Sequence, residues 1–189
     1  MIKITEIREK NYCSRSAIKA LSYALDKHSV NCKIFVEGLG LKFIFPTFMG
    51  KGIKEKNAEN RTKMYEDLIA VLFSLFVYTS GVSLDRVVNK FKENDAEKVD
   101  RLIEFYHQYL NQLKNIANRA NDEEFQGMDP EVIYFVIDLK FQEVEDRLTI
   151  EKYKVLFVLH KIAYMLAYLI TTEDKEVNWY RSEERRVGK

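Results

Sequence analysis

One apolar run limits the fold more than any other stretch of the chain. From Leu68 to Tyr78 the sequence reads LIAVLFSLFVY, interrupted only by Ser74. A surface helix keeps a polar face, so a helical run without a polar stripe is expected to be buried on every side. The helix that contains it, predicted over Asn60 to Thr79, therefore needs neighbours all around it.

Two shorter helices are predicted just before this run, over Ser29 to Glu37 and Leu41 to Met49. Gly38-Leu39-Gly40 forms the corner between them, where glycine suits a helix end that enters the left-handed region. Pro46 is expected near the first turn of the second helix, and the polar stretch 50–59 is expected to be a tolerated loop. Two short helices and a long buried one cannot bury their own apolar surface, which is the pattern of an α-solenoid repeat.

Partial copies of this unit are predicted on both sides. Ser14 can cap a helix over Arg15 to Asp26, and a further helix is expected from Ser83 to about Lys92. Asn94 or Asp95 then caps a long amphipathic helix. Its apolar seam, spaced by three and four, consists of Val99, Leu102, Tyr106, Tyr109, Leu113 and Ile116.

The last third contains a second buried helix. Met128-Asp129-Pro130 carries the signals of a helix start, with Asp129 as the N-cap and Pro130 in the first helical position. Leu148 to Ile170 is predicted to be strongly buried, and its apolar part, from Val155, is interpreted as too short to cross a bilayer. The predicted organisation is a partial repeat over 1–27, a complete repeat over 28–80 and an irregular C-terminal repeat over 81–172.

The final nine residues, RSEERRVGK (181–189), match the in-frame translation of a common sequencing adapter and are excluded from the fold prediction. Without them the formal net charge changes from +1 to −1. Neither value gives a general reason for binding to nucleic acid or membranes. Seven Gly and two Pro with 47% hydrophobic residues favour an all-α protein with one sizeable core.

The residues that usually carry catalysis or bind metals form no site in the sequence. Cys13 and Cys32 make no CxxC pair, and with His28 they are too few for a metal centre, so Cys32 is predicted to be a small buried residue and His28 a surface or capping residue. No nucleophile accompanies His107 or His160, which are predicted to be partly buried. The sequence therefore predicts no catalytic, cofactor or metal residues, and no secretory signal, which favours a reducing compartment.

Four tyrosines could be read as a stacking surface for single-stranded RNA: Tyr106, Tyr109, Tyr164 and Tyr168. Such surfaces need a basic groove beside the rings, and these positions fall on helix seams that packing requires. They are predicted to be core residues, and the alternative function is a helical RNA-binding module or a generic α-solenoid adaptor.

An acidic stripe is the strongest candidate binding site. Four carboxylates are spaced four, three and four residues apart, which places them on one helix face: Glu93, Glu97, Asp100 and Glu104. The alternative is an ordinary solvated face on which Glu97 pairs with Arg101. As a binding site, the stripe would suit an extended segment rich in lysine and arginine.

Three blocks of sequence carry a specific resemblance: SRSAIKALSYALD, NCKIFVEGLGLKFIFPTFM and KFKENDAEKVDRLIEFYHQYL. With KVLFVLHKIAYMLAYLI they resemble the C-terminal part of the beta-catenin-like family of armadillo-repeat nuclear proteins. The resemblance covers most of 8–170 and departs from the family at 50–59 and 118–151. The family's N-terminal region, its first repeats and its final helical segment have no counterpart here.

The resemblance implies an all-α, armadillo-type solenoid fragment and a nuclear, non-enzymatic scaffold of the spliceosome, associated with the Prp-nineteen-type assembly. It implies splicing partners that present basic nuclear-localisation-type segments. It does not favour direct contact with nucleic acid or membranes, and it leaves self-association open.

Overall fold

The computed structural model describes residues 11–53, 55–119 and 147–171. These ranges contain α-helices and no strand, as the composition predicts. The helices are α1 Asn11–Leu25, α2 Ser29–Glu37, α3 Leu41–Phe48, α4 Ala58–Tyr78, α5 Gly81–Lys92, α6 Glu97–Arg119 and α7 Arg147–Thr171. The predicted helix start at Asp129 and the tail 181–189 lie outside the described residues.

The long apolar helix is buried as predicted. Between Leu68 and Tyr78 every side chain of α4 is buried or half-buried, including Ser74. The helix begins two residues earlier than expected, because the Asn57 side chain caps it by accepting a hydrogen bond from the Asn60 amide at 3.0 Å. Its neighbours are α1, α2, α3, α5 and α7. It reaches α6 through Tyr65, whose ring lies 4.9 Å from that of Phe105.

The corner between α2 and α3 uses its glycines differently from the prediction. Leu39, not a glycine, takes the left-handed conformation with φ 62°, whereas Gly38 and Gly40 have φ values of −77° and −56°. Gly40 is required for close packing instead, since a Cβ there would lie 2.5 Å from the ring of Phe35. Pro46 is also displaced from its expected place, because it occupies the second turn of α3.

Aromatic rings fill the core between α3, α4, α5 and α6. The Phe91 ring of α5 lies 5.0 Å from Phe45 and 5.4 Å from Phe76, and Phe48 lies 5.6 Å from Phe105 of α6. Edge-on and tilted ring contacts of this kind add stability beyond the burial of their area. Through these rings α5 and α6 pack directly onto the central repeat.

The apolar seam of α6 is largely confirmed: Leu102, Tyr109, Leu113 and Ile116 are buried, and Val99 and Tyr106 are half-buried. The turn before α6 differs from the predicted N-cap. Asn94, Asp95 and Ala96 are all left-handed, with φ values of 57°, 54° and 59°. Asn94 uses its side-chain amide to reach the Glu97 carboxylate at 2.9 Å.

Over residues 151–171 only one face of α7 is buried, so the helix is less enclosed than the predicted strongly buried helix over Leu148 to Ile170. Its inward face packs against α4 and α6, but Phe157 is 63% exposed and Tyr164 40%. The segment Glu151–Thr171 is also longer than expected, and within the described residues its 21 residues would suffice, by length and composition alone, to cross a bilayer. Core helices of soluble proteins meet the same criterion, and 44% of the apolar window of α7 is buried within the chain.

Candidate functional site

The acidic stripe lies at the junction between α5 and α6. Glu93 follows the last residue of α5, and Glu97, Asp100 and Glu104 occupy the first turns of α6. Glu93 and Glu104 are exposed, whereas Glu97 and Asp100 are half-buried. From Glu97 to Glu104 the helix rises by about 10 Å, so these carboxylates could contact several residues of an extended segment.

Basic side chains already pair with this stripe. The Nζ of Lys90 donates to Glu93 at 2.7 Å, and the guanidinium of Arg101 donates to Glu104 at 2.7 Å. Arg101 therefore pairs with the residue three positions ahead. The Glu97–Arg101 ion pair, which the sequence analysis gave for an ordinary solvated face, does not form. Glu97 accepts instead from Asn94, and this hydrogen bond is the main reason that its pKa lies below the usual value.

Lys98 is the least accessible charge near the stripe. It is 5% exposed, and its Nζ lies 3.9 Å from a Glu93 oxygen and 3.8 Å from a Glu97 oxygen without a hydrogen bond in the structure. Arg101 is also partly sequestered, because its guanidinium lies 4.5 Å from the centre of the Phe105 ring. Lys51 also interacts electrostatically with Glu97, so four cations accompany the four carboxylates and the local field is weaker than the sequence suggests.

A second polar surface, which the sequence analysis missed, spans α1, α4 and α7. Asp67 of α4 has Lys19, Arg15 and the Ser22 hydroxyl as neighbours on α1, and Lys161 on α7. Burial raises the pKa of Asp67, and these neighbours only partly oppose it. We call this surface the three-helix face and define it by Arg15, Lys19, Ser22, Asp26, Glu66, Asp67, Phe73, Lys154, Phe157, Lys161 and Tyr164.

Glu66 lies beside Asp67 and connects the face to α6. Burial first and the neighbouring Asp67 second raise the pKa of Glu66, while a hydrogen bond from Tyr109 and the charges of Lys63 and Lys154 oppose the shift. Tyr109 is itself 1% exposed, and its own pKa is raised by burial and by Glu66. The two adjacent carboxylates are therefore held in place by internal contacts.

Two aromatic rings lie beside the Lys161 ammonium on α7. Its Nζ lies 4.2 Å from the centre of the Phe157 ring and 5.9 Å from that of Phe73. Tyr164 meets Phe73 edge-on, with ring centres 5.4 Å apart. The prediction that all four tyrosines are core residues holds for Tyr109 and is wrong for Tyr164, which is 40% exposed; Tyr106 and Tyr168 are half-buried.

The remaining candidates from the sequence are dispersed. Cys32 is fully buried, as predicted, and burial followed by the charge of Asp26 raises the pKa of its thiol to about 11. His28 is exposed and precedes α2 without a side-chain cap. His107 and His160 are exposed rather than partly buried. In the described part of the chain, no three His, Cys, Asp or Glu side chains converge to hold a metal ion.

Comparison of the sequence with known proteins identifies a family and several relatives. The family described as "Catenin-beta-like, Arm-motif containing nuclear" matches residues 1–182. Beta-catenin-like protein 1 of Bos taurus is 35% identical over 167 residues, which cover 85% of this chain and 28% of that protein. The Homo sapiens protein of that name is 34% identical over 170 residues, with the same coverage.

A more distant relative extends the match beyond mammals. The beta-catenin-like protein 1 homolog of Schizosaccharomyces pombe is 33% identical over 173 residues, which are 82% of this chain and 29% of that protein. The chain thus spans less than a third of the length of these relatives, none of which is named as an enzyme. Its helices form part of an all-α, armadillo-type solenoid, and the chain belongs to the catenin-beta-like family of Arm-motif-containing nuclear proteins.

Proposed function

We propose that the chain is part of a nuclear, non-enzymatic scaffold of the pre-mRNA splicing machinery that binds basic nuclear-localisation-type segments of splicing partners. The family description supports a nuclear helical-repeat protein. The row of carboxylates at the start of α6 is the observation that supports a basic ligand. In this proposal the acidic stripe, Glu93, Glu97, Asp100 and Glu104, is the docking surface.

The binding chemistry follows from the ion pairs already present. Glu93 and Glu104 pair with Lys90 and Arg101 at the surface. The Lys90–Glu93 pair is exposed and contributes about 0–1 kcal/mol, so an incoming lysine or arginine can replace Lys90 there at little cost, whereas Arg101 is held against the Phe105 ring. Binding is then an exchange of cations, and the stripe contributes more to association rate and specificity than to affinity.

The test removes two charges without placing a new cation beside Lys98. Glu97→Gln with Asp100→Asn is compared with the unmodified chain for binding to a labelled basic import-signal peptide at low and moderate salt. We expect several-fold weaker binding and a smaller dependence on salt, because fewer ionic contacts remain. The matched control is Glu37→Gln with Glu59→Gln, which removes two exposed carboxylates that pair with Lys33 and Lys63.

If the stripe variant binds with unchanged affinity at both salts, and its circular dichroism and melting are unaltered, these carboxylates form only a solvated surface and do not bind the peptide. Equal weakening in the control variant would show that net charge, not the stripe, determines binding.

The link to splicing is tested separately with the tagged chain in nuclear extract. Splicing proteins that co-purify after ribonuclease treatment support the scaffold. Recovery that depends wholly on intact RNA contradicts it and favours the alternative, a helical RNA-binding module.

A further inference from the structure

We propose that the three-helix face binds single-stranded RNA, independently of the acidic stripe. The proposal rests on the way in which cationic and aromatic side chains alternate along the exposed side of α7. Lys154, Phe157, Lys161 and Tyr164 follow one another at intervals of three, four and three residues, so they lie on one face of the helix. The two aromatic residues of the four, Phe157 and Tyr164, are 63% and 40% exposed.

The rings are placed to stack with bases. Lys161 lies over Phe157, and Phe73 meets Tyr164 edge-on, so neighbours fix the position of both exposed rings while leaving much of their surface open. Seven residues separate Phe157 from Tyr164, which is about 10 Å along the helix axis. A flexible single strand can place unpaired bases on two rings at this separation, whereas a base-paired duplex offers no free base to stack.

The charges of the face suit a phosphate backbone at its edges. Lys19 and Lys154 are exposed, and Arg15 and Lys161 are half-buried. Lys63 lies near the face as well, but it is ion-paired with Glu59 at 2.6 Å. The cations come from α1 on one side and from α7 on the other, so both edges of the face could contact phosphates.

Three carboxylates also belong to this face, and two of them are turned inward. Glu66 accepts a hydrogen bond from Tyr109, and Asp67 lies against Ser22 and Lys19, so both are engaged by the protein and half-buried. Asp26 is exposed, and all three carboxylates interact electrostatically with Lys161. An acidic peptide would meet the same cations, but it would leave the two exposed rings without a stacking partner, which is why RNA fits better.

The experiment measures binding of a fluorescently labelled oligouridylate to the whole chain by anisotropy over a range of salt. Phe157→Ala with Tyr164→Ala is expected to lower affinity by about tenfold or more per ring, with the salt dependence unchanged. Lys154→Gln with Lys161→Gln is expected to reduce the slope of log affinity against log salt by about 1.4, since each phosphate contact to a single strand contributes about 0.7. Both ring substitutions lie at exposed positions, so the fold should be retained.

The control variant is Ile34→Ala with Val82→Ala, which removes two exposed apolar side chains from α2 and α5. It should bind RNA as the unmodified chain does, and so should the stripe variant Glu97→Gln with Asp100→Asn. No binding by the unmodified chain, or equal binding by the ring variant, would overturn the proposal. Displacement of the RNA by oligoglutamate at equal charge concentration would also overturn it, and would assign the face to an acidic peptide.

Discussion

Truncating Leu72 tests the claim that α4 is the buried centre of the molecule. Leu72 is fully buried in the middle of α4. Replacing it with alanine removes apolar atoms and leaves a cavity that close-packed neighbours fill only in part, which costs about 2–5 kcal/mol. For a chain of this size each kcal/mol lowers the melting temperature by about 2–4 °C. A loss near 3 kcal/mol thus predicts a fall of about 6–12 °C.

The chain offers a chemically identical control on its surface. Leu39 is 55% exposed, so Leu39→Ala removes the same atoms from a site with little burial to lose and should cost less than about 1 kcal/mol. Glu59→Ala, at an exposed ion pair, should be nearly silent. Thermal and urea unfolding followed by far-ultraviolet circular dichroism measure all three. Equal melting temperatures for Leu72→Ala and Leu39→Ala would refute the assigned core.

Two further predictions concern Gly40 and Cys32. Gly40→Ala should destabilise the chain by about 1–3 kcal/mol in urea unfolding, because the new Cβ overlaps the Phe35 ring. Phe35→Leu in the same chain should recover part of this loss. If the free-energy changes of the two substitutions are simply additive, the contact between residues 35 and 40 is contradicted. In a Cys13→Ser variant, a thiol reagent at about pH 8 should label Cys32 only after denaturation, and rapid labelling of the native chain would contradict its burial. Because the folded chain disfavours the thiolate, stability should fall as pH rises from 9 towards 11, and Cys32→Ala should remove that part of the fall.

Periodicity was enough to locate the helices of the central repeat. α4 differs from its predicted bounds by two residues at the start and one at the end, since an unbroken apolar run must be covered wherever it lies. The seam of α6 followed from spacing alone for the same reason. The ion-pair partner of Arg101 was harder to predict from the sequence. Arg101 can reach a carboxylate three or four residues away, and only the packing of its guanidinium on Phe105 selects Glu104.

Tertiary contacts determined what the sequence could not predict. The role of Gly40 depends on the position of the Phe35 ring, which no local pattern specifies. An apolar helix such as α7 does not indicate which of its sides a neighbour will cover, so Tyr164 was assigned to the core. The three-helix face draws on residues 15–26, 66–73 and 154–164, and stretches so far apart carry no common motif.

The position of α4 at the centre has a consequence for how the chain unfolds. In a regular repeat array each unit contacts only its neighbours, so the ends can open while the middle stays folded. Here α4 contacts every other described helix, directly or through Tyr65 and Phe105. Detaching α1 or α7 exposes the same central helix, so neither end can melt without weakening the other. The described helices should therefore form a single cooperative unit, and amide hydrogens along α4 should exchange only through global opening.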